Sequence, residues 1–287
     1  MTDKPTPTPS LTPSSAVAAQ RRPAYHTKPG SAFVGLLNRD LRVLRRTLGA
    51  FIAQIVLQPL LLVFTFTYVL PHIGIGFSAG QSSYATLLVP GLLAATALST
   101  GISAVTTPLS ADLGGTREID DRALAPISIG AIAREKILVG AVHAWLSALA
   151  VLPVCELVSA TPVQLQVHSW PTFIVMFLLL GITSGALGMT LGAIVKPEQI
   201  GILYGVFLIP IQFLGCVYYP WSALHHIHWV QIITLANPLT YLSEGTRSAL
   251  TPQVPHMPLT TILIVATALA LTLVLTSTRL LRKRLQT

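Results

Sequence analysis

Charge is scarce in this chain of 287 residues: Asp, Glu, Lys and Arg together make up 10% of it, against roughly 25% in an ordinary soluble domain. At a mean hydropathy of +0.68 there are too few polar groups to cover a water-facing surface, so the apolar excess has to face lipid. Cysteine is nearly missing as well. Cys155 and Cys216 sit in apolar surroundings without CxxC spacing, which excludes a disulfide framework and a zinc site and leaves two buried thiols. Aromatics are few (7%) and heptads absent, so no fibrous rod is encoded. Residues 1–30 are rich in Pro, Thr and Ser and contain no apolar core of a signal peptide, and they are expected to be a disordered cytoplasmic tail. Enzyme motifs are lacking too: no GxxxxGK[ST] cradles a phosphate, and neither HExxH nor GxSxG occurs. No catalytic residue and no metal site is therefore assigned. His225, His226 and His228 lie among Tyr218, Tyr219, Trp221 and Trp229, the composition of an aromatic interfacial belt with wet histidines.

What is present is a set of six long apolar runs: 47–70, 84–109, 137–158, 170–195, 200–219 and 259–278, whose only formally charged member is Glu156. A bilayer core about 30 Å thick needs roughly 20 apolar residues as helix, and lipid satisfies no open backbone. The fold class is therefore all-α, an integral membrane protein with six transmembrane helices. Of the 18 Lys and Arg, all but Arg247 fall on the N-terminal segment, the 110–136 connection, the 196–199 turn and the C-terminus. That alternation puts both termini in the cytoplasm and accounts for the +8 net charge without nucleic acid. Three parts result: the tail 1–30, an amphipathic helix 31–46 and a six-span domain 47–287. The helix is read from Phe33, Leu37, Leu41, Leu44 and Leu48 on one side against Asn38, Arg39, Arg42, Arg45 and Arg46 on the other, an arrangement suited to the membrane interface.

Two connections are distinctive. SADLGGTREIDDRALAPISIGAIAREK, residues 110–136, has a Gly-Gly break, a mixed-charge stretch (Arg117, Glu118, Asp120, Asp121, Arg122), then Ala125-Pro126 and a new helix; mixed charge suits a protein partner better than lipid. After the fifth span, Trp229 to Leu242 is too short to cross and too apolar for a free loop, and it is interrupted by Pro238. A re-entrant or interfacial helical pair fits, with Glu244 and Arg247 three apart on one helical face. Inside the spans, Thr96, Thr100, Ser103, Thr107 and Ser110 form a polar seam, and Gln54 and Gln58 lie one turn apart. These mark either a substrate route or interhelical hydrogen bonding. Gly181, Gly185, Gly188 and Gly192 share one face of the fourth span and predict close helix packing.

The order of basic amphipathic helix, six spans, REIDDRALAPISIGAIAREKI after the second span and YYPWSALHHIHWVQIITLANPLTYLSEGTR between the fifth and sixth resembles ABC-2 type permeases, most of all the daunorubicin-resistance-like branch. The likeness covers about residues 33–284. It implies a bacterial inner-membrane permease that exports a drug, lipid or polysaccharide, dimerises with a second permease, and is powered by two copies of a separate ABC ATPase that bind the ATP and Mg2+. This chain itself would bind no cofactor. The resemblance further assigns ATPase coupling to Arg117, Glu118, Asp120, Asp121, Arg122, Ala125 and Pro126, and an outer re-entrant gate to Asn237, Pro238, Tyr241, Glu244 and Arg247. Gln54, Gln58, Thr96, Thr100 and Ser103 are the expected substrate pathway. Two other classes stay open on the residues alone: an ion-coupled carrier using Glu156 and His143, and a polytopic lipid-modifying enzyme.

Overall fold

The computed structural model describes residues 29–73, 84–116, 129–159 and 163–286, and it is helical with no strand among them. Among these residues, six helices are long and apolar enough to cross a membrane. The elements are α1 (Pro29–Phe64), α2 (Tyr84–Ala111), α3 (Ile129–Val158), α4 (Trp170–Ile194), the segmented α5 (Pro197–Leu214), two short helices α6 (His228–Thr234) and α7 (Pro238–Leu250), and α8 (Leu259–Gln286).

Two boundaries differ from those expected. No break separates the amphipathic stretch 31–46 from the first span: α1 is one helix of 36 residues, continued by a π turn at Thr65–Val69 and a last turn Leu70–His72. At 1.5 Å per residue α1 alone extends about 54 Å, well beyond a hydrocarbon core, so its arginine-bearing first turns project past the apolar layer. Arg39, Arg42, Arg45 and Arg46 are exposed, Leu44 is buried and Leu37 and Leu41 are half-buried, whereas Leu48, expected on the same apolar side, is exposed. The third span begins at Ile129, not at 137, and carries Arg134, Glu135 and Lys136 inside its helix. Charge ended the apolar run in the sequence, but Lys136 Nζ lies 3.0 Å from Asp40 of α1 and 3.8 Å from Glu135. Paired in this way, the charges permit the helix to continue.

The centre of the bundle is α2, α3 and α4, packed on one another. Lipid is as apolar as leucine, so close approach and dispersion, rather than water exclusion, hold such helices together. The glycines supply that approach. A Cβ on Gly185 would sit 2.2 Å from the Ile137 carbonyl oxygen, and one on Gly188 2.7 Å from that of Ile102. Gly140 of α3 in turn faces the Gly185 Cα. The remaining spans are arranged around this trio, α1 on α3 and α8 on α4, with Arg284 Nε of α8 donating to the Ala193 carbonyl at the C-terminal end of α4 (3.1 Å). Burial grades steeply: 72% of the most apolar stretch of α2 is buried, against 11% of α5.

Pro238, which appeared as an interruption, begins a helix. Asn237 is its N-cap, the Oδ1 accepting from Leu239 N at 2.9 Å, and proline at the first helical position lacks only an N–H that would have had no partner. All of α7 after Pro238 is buried, against α2, α4 and α8, whereas α6 exposes Trp229, Ile232 and Ile233.

Candidate functional site: a cleft between the spans and a buried clamp

A cleft of about 590 Å³ opens between α1, α2, α3 and α5. The helical period of α2 brings Thr96, Ser99, Thr100 and Ser103 to one side of it. Ser99 and Ser103 donate to carbonyls one turn back (Ala95, 2.8 Å; Ser99, 2.7 Å), so their hydrogens are committed to the helix and their oxygens remain as acceptors. From α3, His143 enters with its Nδ1 2.8 Å from the Val139 carbonyl and the Phe51 ring of α1 edge-on at 5.3 Å. A carbonyl only accepts, so Nδ1 carries the proton and Nε2 of the neutral ring is an acceptor.

Across the cleft, Gln58 Nε2 of α1 donates to Gln212 Oε1 of α5 at 3.3 Å, and Thr107 Oγ1 of α2 lies 3.5 Å from the Tyr204 hydroxyl of α5. Tyr204 begins a π turn, Tyr204–Leu208, in the middle of the span. Such widened turns recur at functional positions.

Two recesses adjoin. One, of about 510 Å³, shares Gln58, Ile209 and Gln212 with the cleft and is walled by Leu57, Leu61, Phe213 and Tyr218. The other, of about 270 Å³, shares Ala104 and His143 and ends among Arg39, Asp40, Asp112 and Lys136. Polar and charged surface therefore extends from the arginine-bearing end of α1 to the middle of the bundle.

At the far end, α7 carries an ion pair buried on every side. Arg247 Nη1 donates to Glu244 Oε1, with neither side chain exposed, and Arg247 Nη2 donates to the carbonyls of Cys216 (3.0 Å) and Val217 (3.4 Å). Glu244 accepts from Trp221 N at 3.0 Å and from Met257 N at 2.8 Å. Cys216 sits in the left-handed region, φ 53°, and burial pushes its thiol up to about 12. Tyr241 donates its hydroxyl to the Leu235 carbonyl (2.9 Å), and the Asn237 amide donates to Ile211 O (2.7 Å). The five residues assigned to an outer gate thus lie together in and at the start of α7, as parts of a tightly bonded clamp.

Of the expected pathway residues, Gln58, Thr96, Thr100 and Ser103 line one cleft. Gln54 is on α1, one turn before Gln58. Arg117, Glu118, Asp120, Asp121, Arg122, Ala125 and Pro126 lie outside the described residues. Tyr204 and Gln212 were not foreseen, although Gln212 is a single amide in an apolar run and was open to the same reasoning as Gln58. Glu156 is exposed near the end of α3, thirteen residues from His143, or about 20 Å along the helix, so the two do not form a proton relay. His225 and His226 are exposed with ring centroids 3.7 Å apart, and no group of three metal-ligating side chains occurs among the described residues.

A family model described as ABC-2 type transporter matches residues 31–251. The chain belongs to that family. It is accordingly a multi-pass transmembrane subunit of an ABC transporter, a transport subunit and not itself a catalytic enzyme, of a kind that generally works with an ABC ATPase subunit. No curated protein matches the chain. In the permease, the matched region takes in nearly all of α1 and runs through α7, with the cleft and all of the clamp but Met257, and it ends at Thr251, which caps α7.

Proposed function

We propose that the permease is the membrane half of an ATP-driven exporter that moves a hydrophobic or amphipathic substrate (a drug, lipid, glycolipid or polysaccharide) out of the cytoplasm. In this reading two permease subunits, identical or related, pair with two copies of a separate ABC ATPase that binds the ATP and Mg2+. The membrane is the bacterial inner membrane and both termini are cytoplasmic, since all but one of the 18 Lys and Arg sort to one side. The mixed-charge segment at Arg117 to Arg122 docks the ATPase. The exposed apolar surface of α5 that carries Ile202 and Val206 meets the second permease subunit, which closes the open side of the cleft.

The observation carrying this reading is the cleft: polar side chains from four spans converge inside an apolar bundle, and the space continues at His143 toward a charged mouth. Polar side chains within spans are costly in lipid and are retained where they serve a route or a bond between helices; those of the cleft border open space. The test is transport in inverted vesicles containing the permease and its partner ATPase. Uptake should require ATP, stop when the Walker lysine of the ATPase is replaced, and persist in Glu156→Gln. Uptake driven by a proton gradient without ATP, and lost in Glu156→Gln, would overturn it.

A further inference from the structure

We propose that the cleft and the apolar recess beside it form one two-compartment site for an uncharged, hydroxyl-bearing amphiphile, and that Gln58 and Gln212 select it. The inference rests on the transport reading above and names the substrate class of that same route.

Charge is the first argument. Among the described residues, no carboxylate, ammonium or guanidinium lines either compartment. A cationic or anionic headgroup would lose its hydration there and gain no counter-ion, a heavy cost in a low-dielectric setting. The charged side chains Arg39, Asp40, Asp112 and Lys136 lie in the adjoining recess, on the far side of His143. What the cleft offers is neutral hydrogen bonding: hydroxyl oxygens from α2, the His143 imidazole and two amides. Together these accept and donate several bonds at once, as a polyol requires.

Shape is the second. The recess walled by Leu57, Leu61 and Phe213 meets the polar cleft at Gln58 and Gln212. A guest with a hydroxylated head and an apolar body fills both compartments only when its junction lies at these two amides. Their mutual hydrogen bond is long, 3.3 Å, and joins an exposed side chain, Gln58, to a half-buried one, Gln212. Each amide keeps further donor and acceptor valences, so a guest hydroxyl can insert between them at little cost. The two amides belong to α1 and α5, two of the least buried spans, and insertion there separates walls that few other contacts hold.

The test uses the full chain in lipid nanodiscs with three photoreactive dodecyl probes that differ only in the head: maltoside, trimethylammonium and sulfate. Peptide mapping should find the maltoside probe on residues 51–62 and 204–213, displaced by unlabelled dodecyl maltoside. Gln58→Leu with Gln212→Leu should lower that labelling about tenfold, with a thermal melt matching the parent. Equal or stronger labelling of those segments by the trimethylammonium or sulfate probe overturns the proposal, as does maltoside labelling that survives the double substitution. Failure of any probe to label, with residues 57–61 instead cross-linking to a second copy, assigns both compartments to a subunit interface and overturns it too. Should the leucine variant not fold, the comparison of heads on the parent chain decides alone. Photolabelling needs no ATPase, so a charged probe prevailing while ATP still drives transport removes the substrate class only. Maltoside labelling of the cleft without ATP-driven transport removes the transport reading only.

Discussion

Arg247 and Glu244 form an ion pair in which neither side chain reaches solvent, and each also bonds backbone from other segments, Arg247 through Nη2 and Glu244 through both carboxylate oxygens. Through these two residues the end of α5, the loop at Trp221 and the approach to α8 are all fastened to α7. Breaking such a pair from one side leaves an uncompensated buried charge, which costs about 3–5 kcal/mol. Glu244→Ala should therefore sharply lower the melting temperature or yield of the permease in nanodiscs. His226→Ala, at an exposed position, should stay within about 0.5 kcal/mol of the parent. Equal tolerance of the two substitutions would show that the clamp carries no stability.

A second pair ties α1 to α3. Lys136 Nζ lies 3.0 Å from Asp40 with the lysine side chain 6% exposed and the aspartate 23%, where a charged hydrogen bond contributes about 1.5–3 kcal/mol. Asp40→Lys should destabilise by that order, and the exchanged pair Asp40→Lys with Lys136→Asp should recover much of it. Thermal melts of the two single variants and the double variant measure the coupling, and additive losses would deny it.

Helix contact at Gly185 leaves no room for a side chain, since a Cβ would lie 2.2 Å from the Ile137 carbonyl oxygen. Gly185→Ala should cost about 1–3 kcal/mol by forcing α3 and α4 apart. Gly201→Ala meets nothing within 4 Å and should be neutral. Comparison of the two by expression and melting separates helix crossing from helix propensity.

Cys216 should resist thiol reagents in the folded permease. Burial raises its thiol to about 12, so the reactive thiolate is almost absent between pH 7 and 9. Maleimide should label it only after denaturation. The unfolded thiol ionises from its ordinary 9.0 while the folded one keeps its proton to about 12, so folding stability should fall as pH rises from about 9 toward 12. Rapid labelling at pH 8 in intact membranes would contradict the buried placement.

Charge reversal in the segment proposed to dock the ATPase tests partner coupling. Glu118→Lys with Asp121→Lys should release the ATPase from the purified complex and abolish ATP-driven transport while the permease still inserts and melts normally. Undiminished copurification and transport would place the docking elsewhere.

Much of this architecture is legible because lipid leaves a chain little choice: a long apolar run has to be helix, and five of the six spans begin within four residues of their runs. The exception is α3, where Arg134, Glu135 and Lys136 cut the apolar run although Asp40, nearly a hundred residues earlier, makes the helix tolerable. Charge partners at that separation are invisible to a local reading. The same division holds in the cleft. Thr96, Thr100 and Ser103 announce themselves by a helical period, whereas Tyr204 and Gln212 lie on a span whose π turn displaces that period. Glu244 and Arg247 were readable as a pair from their spacing, but the backbone groups they hold come from three other segments.

The fifth span has one more property. Its 18 residues, at 1.5 Å each, reach about 27 Å, a little short of a typical 30 Å hydrocarbon layer, whereas α2 and α3 are each long enough to span it with length to spare. A short helix meets such a mismatch by drawing the bilayer thinner around it or by letting its flanking groups stretch to the interface. Few protein contacts oppose its adjustment. Lipid chain length thus acts on the wall of the cleft that carries Tyr204 and Gln212, and the thickness of the host membrane becomes a setting on how wide the cleft stands.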